Sequence, residues 1–562
     1  MRQKISRLRS HQALRLGLPL LVALLALPAL RPLTLPGLLS GHDSSLHLFR
    51  FVELHRLIVS GDYFPRWFPD LSLGHGYPLL NYYPPLTYYL FEAFHLLGFA
   101  FVNAIDLTMA LGVILSGLGM YCFGLQVSGR RSVALLAAIA FMYMPYRLVD
   151  IYVRGAWAEA TAFAFIPWLF ASFYALATRR SITYLLTSAL LLAGLFLTHQ
   201  VSIYFVPVLF VYSLAVALRS SYPRKGIALI AVAMFSGLAA SAFYWFPAMA
   251  EVSFASTENF ILSDLSPAQR LMLVPFDLII QPQLLYHFGA PPFQMGLVEA
   301  VAAFSGLSIL LAVFARGRRE FLPVLVLPAA AVLLACLMTP FSSFFFEKVL
   351  VANSIQFAYR LLALIGTFAA VCTGFLAFPR RLGTYLAVAV GGVLVFAATC
   401  SLPVSHEEVP DYGLSLGMAS RYEITRYRPG LSHENEWLPL VANLGAGQSP
   451  QEVAPLSQTT VEMMAPLAYR FKTAADAATS LRYHAYAFPG WQAKVDGQAV
   501  AVYPSQPLGL VSVDVPSGNH TVDLWFTDTP ARTVGRLITI AALLALAIVS
   551  LARGRRWKAG YY

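Results

Sequence analysis

The chain has 562 residues, of which 58% are hydrophobic and only 12% charged. Soluble domains carry about 25% charged residues, so a chain this poor in charge lacks the polar surface to stay dissolved, and most of it must face lipid or other helices. The formal net charge of +11 is no argument for nucleic acid, because in a membrane protein the position of the charges matters more than their sum.

The N-terminus is basic (Arg2, Lys4, Arg7, Arg9), and an apolar run follows from Leu16 to Leu39. That run exceeds the ~7–15-residue apolar core of a signal peptide, and no small-x-small cleavage site follows it. It predicts an uncleaved first transmembrane helix. A spanning helix needs ~20 mainly apolar residues. Further candidates lie at 103–127, 132–149, 160–178, 182–198, 201–218, 227–250, 293–315, 321–339, 354–378, 382–402 and 533–552, making twelve in all. Cys122, Cys336, Cys372 and Cys400 lie in or beside these stretches without a CxxC pair. They read as small buried apolar residues, not a disulfide framework or zinc site.

With the basic N-terminus inside, every second connection is cytoplasmic. Those connections hold Arg130 and Arg131; Arg179 and Arg180; Arg219, Arg224 and Lys225; Arg316, Arg318 and Arg319; Arg380 and Arg381; the tail adds Arg553, Arg555, Arg556 and Lys558. Only Glu320 opposes them. This is the alternation that the positive-inside rule requires. The short apolar segment 84–98 carries Glu92 and His95. If it crossed, every later loop would invert, so it is predicted to lie at the outer interface as an amphipathic helix. The outer segments are then 40–102, 150–159, 199–200, 251–292, 340–353 and 403–532. No Gly-rich phosphate loop precedes a helix on the inside, so an activated substrate should be membrane-borne or already exported.

Residues 403–531 are polar, and 480–488, 492–503, 509–515 and 520–527 alternate apolar and polar side chains. Turns fall at Pro489-Gly490, Asp496-Gly497 and Ser517-Gly518. The pattern predicts a β-sandwich outside the membrane, tethered by the last helix. The expected organisation is a helical membrane domain over 1–402 with a first outer loop at 40–102, a β-rich domain over 403–531, and a final helix and basic tail over 532–562.

Four polar constellations fall at predicted outer ends. Asp43 follows the first apolar run; on a helix from Ser44, His47, Arg50 and Leu54 share a face, with Glu53 nearby. Tyr63, Trp67, Tyr77, Tyr82 and Tyr83 follow. Asp43 reads equally as a helix N-cap or as a functional carboxylate. Asp150, Arg154 and Glu159 form the second group; charge at such depth is usually paired or functional, and an Arg154–Glu159 ion pair is the plain alternative. His199 with Gln200 is the third, and a hydrogen-bonded packing histidine explains it as well. Gln356 and Arg360 are the fourth, one turn apart at a helix entry. An arginine there suits phosphate or an acidic neighbouring helix.

Several stretches resemble the GT-C superfamily of polyprenyl-phosphate-sugar glycosyltransferases. They are HDSSLHLFRFVEL, GDYFPRWFPDLSLGHGYPLLNYYPPL, YVRGAWAEA, LTH and IQFAYRLL. More specifically they resemble prokaryotic membrane proteins labelled 6-pyruvoyl-tetrahydropterin synthase-related, although no soluble pterin fold or zinc-histidine cluster is visible here. FPGWQAKVDG at 488–497 resembles the outer C-terminal domain of large GT-C-like proteins. PPL before an interfacial helix resembles protein O-mannosyl and aminoarabinose transferases, from which the chain departs in having a lone Asp43 followed by Ser44.

The resemblance implies an all-α polytopic GT-C-like membrane domain in a prokaryotic cytoplasmic membrane, both termini inside and the active face outside. It implies inverting transfer from a polyprenyl-phosphate-linked sugar to an extracytoplasmic glycan, lipid or protein, with no nucleic-acid partner. By that analogy Asp43 is the general base, and Arg154 and Arg360 neutralise the departing phosphate. His42, Glu53, Asp150, Glu159, His199 and Gln356 then support them, with Glu159 orienting Arg154. Some superfamily members hold a divalent metal at the carboxylate and others do not. Two other classes compete. A transporter or flippase of lipid-linked glycans predicts ionisable groups at mid-membrane and internal repeats, whereas here polar groups crowd the helix ends. A silent glycan-binding scaffold would share the fold without the activity.

Overall fold

The computed structural model describes residues 17–256, 274, 279, 294–344, 357–379, 381–400, 404–408, 439–442 and 459–559. Ten helices among them are long and apolar enough to cross a membrane. In chain order they interleave with shorter ones: α1 Gly17–Thr34, α2 Ser44–Val59, α3 Leu86–Leu96, α4 Phe101–Ser128, α5 Arg131–Arg154, α6 Trp157–Arg179, α7 Ile182–Thr198, α8 Ser202–Leu218, α9 Pro223–Ala240, α10 Ala242–Ala250, α11 Leu297–Ala315, α12 Arg319–Leu337, α13 Ala358–Ala377, α14 Gly383–Cys400 and α15, whose crossing part is Pro530–Ala552. The apolar helices α7 and α8 are shorter, at 17 residues each, about 25 Å at ~1.5 Å per residue. With them the apolar helices match the twelve expected positions. One expected span, 227–250, is broken at Ser241 into α9 and α10.

The 11 residues of α3 cover only about 16 Å of a ~30 Å hydrocarbon core. This helix packs on α4 and α2 instead of crossing. Helices α5, α6 and α13 are the most enclosed, while α1 and α15 lie at the rim, where apolar side chains such as Leu544 and Leu551 point outward. Small residues let the inner helices approach. A Cβ on Gly306 of α11 would sit 1.9 Å from the Cys372 carbonyl of α13, a contact of the kind that drives helix association in lipid.

One end of the bundle gathers the basic connections. Arg130 donates to the Phe378 carbonyl, and Arg180 lies 4.3 Å from the Tyr222 ring centroid. The opposite end carries the first loop and the strands.

Strands β1 Leu38–Leu39 and β2 His406–Glu407 pair antiparallel. From 459 to 526 the chain forms β3 Thr459–Ala465, β4 Ala468–Ala475, β5 Thr479–Tyr486, β6 Trp491–Val495, β7 Gln498–Val500, β8 Tyr503–Pro504, β9 Leu510–Val515 and β10 Gly518–Phe526. They make a five-stranded sheet, β3-β4-β10-β6-β7, and a three-stranded sheet, β5-β9-β8. Strand β6 alternates as the sequence predicts, with Trp491, Ala493 and Val495 inward. Its hairpin to β7 turns at Asp496 and Gly497, both at positive φ (48° and 83°), as a tight two-residue turn requires.

The strands clamp the first loop. Trp67 is fully buried, with Phe488, Phe526 and Trp491 ring centroids 5.7, 5.6 and 6.1 Å away. Beneath this lies a buried ion pair. Arg532 at the start of α15 donates to Glu251 at 2.8 Å and to the Pro489 carbonyl at 2.8 Å. Glu251 also accepts from Asn81 at 2.9 Å, and its carbonyl accepts from the Tyr82 hydroxyl at 2.7 Å.

Candidate active site

Asp43 fills the N-cap position of α2, yet its side chain makes no capping hydrogen bond. The N-cap reading therefore accounts for its position and not for its carboxylate. What fixes the residue is its backbone: the Asp43 amide donates to the Arg154 carbonyl at 2.8 Å, and the His42 amide to the Val153 carbonyl at 3.1 Å. The loop is thus laid directly on the last turn of α5.

That turn is π-helical over Asp150–Arg154, a rare arrangement that is frequent at functional sites. It ends at Gly155 with φ +68°, where a Cβ would lie 2.6 Å from the Ser44 hydroxyl. Only glycine combines this φ with so close an approach of α2.

Arg154 Nη1 donates to Asp150 at 2.5 Å, to the Tyr146 hydroxyl at 3.0 Å and to Glu159 at 3.1 Å. Tyr146 donates to the other oxygen of Glu159 at 2.9 Å. The structural ion pair expected as the plain alternative is therefore present. Arg360 at the start of α13 has its Nε 3.8 Å from Glu159, and that Nε is buried without a hydrogen-bond partner. Tyr359 places its ring centroid 5.1 Å from the Arg154 guanidinium. Arg147, one turn before Asp150, has the Ser116 hydroxyl at 2.6 Å and the faces of Phe141 and Phe163 around it.

His199 is buried between α7 and α8. Its Nδ1 accepts from the Val201 amide at 3.2 Å, which leaves the proton on Nε2 in the neutral ring. Burial holds its pKa down to about 3, with Glu159 opposing and Arg360 and Arg154 reinforcing that shift. The cluster is thus assembled from three distant stretches: Asp150, Arg154 and Glu159; His199; and Arg360.

Other predicted residues fall differently. Glu53 faces away from the cluster: it binds Arg56 at 2.7 Å, and Arg56 binds Asp70 at 2.8 Å. Ten residues of helix separate it from Asp43, about 15 Å at ~1.5 Å each. It pins the loop instead of supporting the carboxylate. His42 is exposed at the loop's start. Gln356 lies outside the described residues.

A second polar group, to which the sequence assigns no role, lies on α2, on α3 and at Tyr83 between them. His47 Nδ1 meets the Tyr88 hydroxyl at 2.8 Å, and its ring sits 5.7 Å from Trp157. Burial, followed by the Arg50 charge, lowers the His47 pKa to about 3. The Arg50 guanidinium lies 5.3 Å from the Tyr83 ring centroid. Burial raises Tyr83 well above the usual phenol range, and Asp43, Arg50 and Arg360 all act on it. Tyr83 thus lies within electrostatic reach of both the loop carboxylate and Arg360. The spacing Tyr146, Asp150, Arg154 at steps of four was the available signal for Tyr146. Among the described residues no group of three or more His, Cys, Asp and Glu is arranged to hold a metal ion, and no step below uses one.

Fold and site define a multi-pass membrane protein whose first loop is hydrogen-bonded through its backbone to a buried arginine–carboxylate cluster. The chain belongs to the family of membrane proteins described as 6-pyruvoyl-tetrahydropterin synthase related, whose model matches residues 80–402. That stretch holds Asp150, Arg154, Glu159, His199 and Arg360, and begins beyond Asp43. An uncharacterised protein of Lactococcus lactis subsp. cremoris is 23% identical over 216 residues, 37% of this chain and 35% of that protein. The match thus spans about a third of that relative's length.

Solved structures of the Archaeoglobus fulgidus oligosaccharyltransferase are also similar. The apo form is 14% identical with a TM-score of 0.41, covering 73% of this chain and 56% of that one. The complex with zinc and sulfate is 14% identical with a TM-score of 0.41, covering 70% and 54%. The complex of AglB with an inhibitory peptide and a dolichol-phosphate is 14% identical with a TM-score of 0.39, covering 73% and 56%. In each case little more than half of the archaeal chain is spanned.

Proposed function

We propose that this protein is a membrane glycosyltransferase of GT-C type. It moves a sugar from a polyprenyl-phosphate-linked donor to a hydroxyl of a glycan, lipid or protein acceptor at the bundle end that carries Asp43. The supporting observation is the junction of that loop with the cluster: the Asp43 amide is 2.8 Å from the Arg154 carbonyl, and in the same cluster Arg360 Nε is buried without a hydrogen-bond partner. A guanidinium left short of acceptors at depth favours an anion. Arg147, one turn before Asp150, adds a third buried cation.

In this reading the acceptor hydroxyl gives its proton to Asp43 while its oxygen attacks the anomeric carbon. The bond from that carbon to the phosphate oxygen breaks, and its electron pair leaves with the polyprenyl phosphate. Arg154 and Arg360 meet the charge that develops there. Glu159 and Tyr146 hold Arg154 in place, and the Nε2–H of neutral His199 is free to serve sugar or phosphate as a donor. A single displacement inverts the anomeric centre.

The test is transfer by the purified protein from polyprenyl-phosphate sugars, alongside polyprenyl-phosphate binding. Arg360→Ala removes hydrogen bonds to a charged group, each worth about 1.5–3 kcal/mol. Affinity should fall roughly 10–100-fold at 1.4 kcal/mol per tenfold. Unchanged affinity would refute the phosphate assignment.

The basic ends are read as cytoplasmic in a prokaryotic inner membrane, with both termini inside, by the positive-inside rule. A cysteine introduced at Arg130 should stay unlabelled by an impermeant reagent added to intact cells. Labelling from outside would invert the scheme.

A further inference from the structure

Away from the cluster, α2 and α3 bring two histidines together. His55 and His95 have ring centroids 4.4 Å apart and planes at 87°. His55 Nδ1 lies 3.0 and 3.2 Å from the two oxygens of Glu92, and Glu92 is buried. His95 Nδ1 lies 2.7 Å from the Phe99 carbonyl. Carboxylate and carbonyl oxygens accept, so both Nδ1 atoms carry the proton and both Nε2 atoms carry lone pairs. Among the described residues no group engages either Nε2, and neither is a buried orphan, so both reach solvent.

Metal-binding histidines almost always donate their second ring N–H to a carboxylate or a backbone carbonyl, which fixes the tautomer and raises ligand basicity. Both rings here are already held in that way, one by each kind of acceptor. The separation is also informative. With a metal–nitrogen bond of about 2.0–2.1 Å, each ring centroid sits roughly 3.2 Å from the ion. Two ligands at right angles then place their centroids roughly 4.5 Å apart, and two tetrahedral ligands roughly 5.2 Å apart. The observed 4.4 Å is near the first value, in rings that meet edge to face with Phe101 stacked on His95.

We propose that His55 and His95 form a two-histidine site for a late first-row divalent ion of octahedral or tetragonal preference, nickel or copper, with water completing the coordination and Glu92 as the positioning residue for His55. The bound ion ties the middle of α2 to the end of α3. The site is independent of the glycosyl-transfer reading.

The experiment uses the whole chain in detergent, purified without a histidine tag, titrated with nickel chloride and, separately, magnesium chloride. The wild type should bind one equivalent of nickel saturably and melt at higher temperature with it; magnesium should do neither. His55→Gln and His95→Gln should each weaken nickel binding at least tenfold, and Glu92→Gln should weaken it 10–100-fold with both ligands still present. His95 is partly exposed and, among the described residues, pairs with no carboxylate, so His95→Gln should keep the metal-free melting temperature. Copper loading should give an electron paramagnetic resonance spectrum with hyperfine structure from two nitrogens. No uptake by the wild type, equal uptake by the His55→Gln/His95→Gln double variant, or a copper spectrum lacking two nitrogens would each overturn the proposal.

Discussion

On the proposed glycosyl-transfer reading, Asp43→Asn should lower sugar transfer by about 10²–10⁴-fold, the range typical of losing a positioned general base, and should leave the melting temperature unchanged. Asparagine keeps the shape of the side chain and cannot take the acceptor's proton. The backbone amide that anchors residue 43 to the Arg154 carbonyl is untouched by the change. Stability is the discriminating readout. Were the carboxylate a helix cap, Asp43→Ala would cost about 0.5–2 kcal/mol; since it makes no capping bond, the cost should fall below that range. Transfer that survives in Asp43→Asn would remove this residue from the base role. The pH profile adds a second check. His47 and His199, both held near pKa 3, stay neutral from pH 5 to 8 and should add no limb there. Their lowered values mean that the unfolded chain binds more protons, so stability falls as pH drops from about 6.5 towards 3.

The largest loss of stability is expected at the other side of the loop. Arg532→Ala strands the buried Glu251 carboxylate, and breaking a buried pair from one side costs about 3–5 kcal/mol. Thermal melting of the detergent-solubilised protein measures it. Replacing both partners with apolar residues should recover much of the loss, because two well-packed apolar groups avoid the desolvation of two charges. A single variant that melts like the wild type would show that the pair is not a structural anchor.

The helical plan was legible because lipid imposes a length and a composition on each span, and the arginine pairs mark alternate ends. The break at Ser241 was not, since α9 and α10 form one apolar run in the sequence. In the strand region, β6, β9 and β10 alternate cleanly, whereas β3 and β4 were missed. Thr459–Ala465 is an edge strand with Val461, Met463 and Met464 exposed, so its side chains carry no inside-outside signal. At the site, Asp150, Arg154, Glu159, His199 and Arg360 could be gathered because each is a polar group at an apolar helix end. His47 and Arg50 were seen on one helical face without a role. Tyr83 was one aromatic among several in the first loop and Tyr88 carried no signal, until the fold set Tyr83 on Arg50 and Tyr88 on His47. The partners of Glu53 were not legible, because proximity on a helix does not say which way a face turns; the fold pairs it with Arg56, which also binds Asp70.

The tie between Asn81, Tyr82, Glu251 and Arg532 has a consequence for biogenesis. Glu251 gains its counter-charge only when α15 has left the ribosome, about 450 residues after Tyr82. At ~5–20 residues per second the first loop waits roughly 20–90 s with a half-built clasp. The clasp around Glu251 is therefore the last contact of the first loop to close, after Asp43 has already been set on the Arg154 carbonyl by its amide.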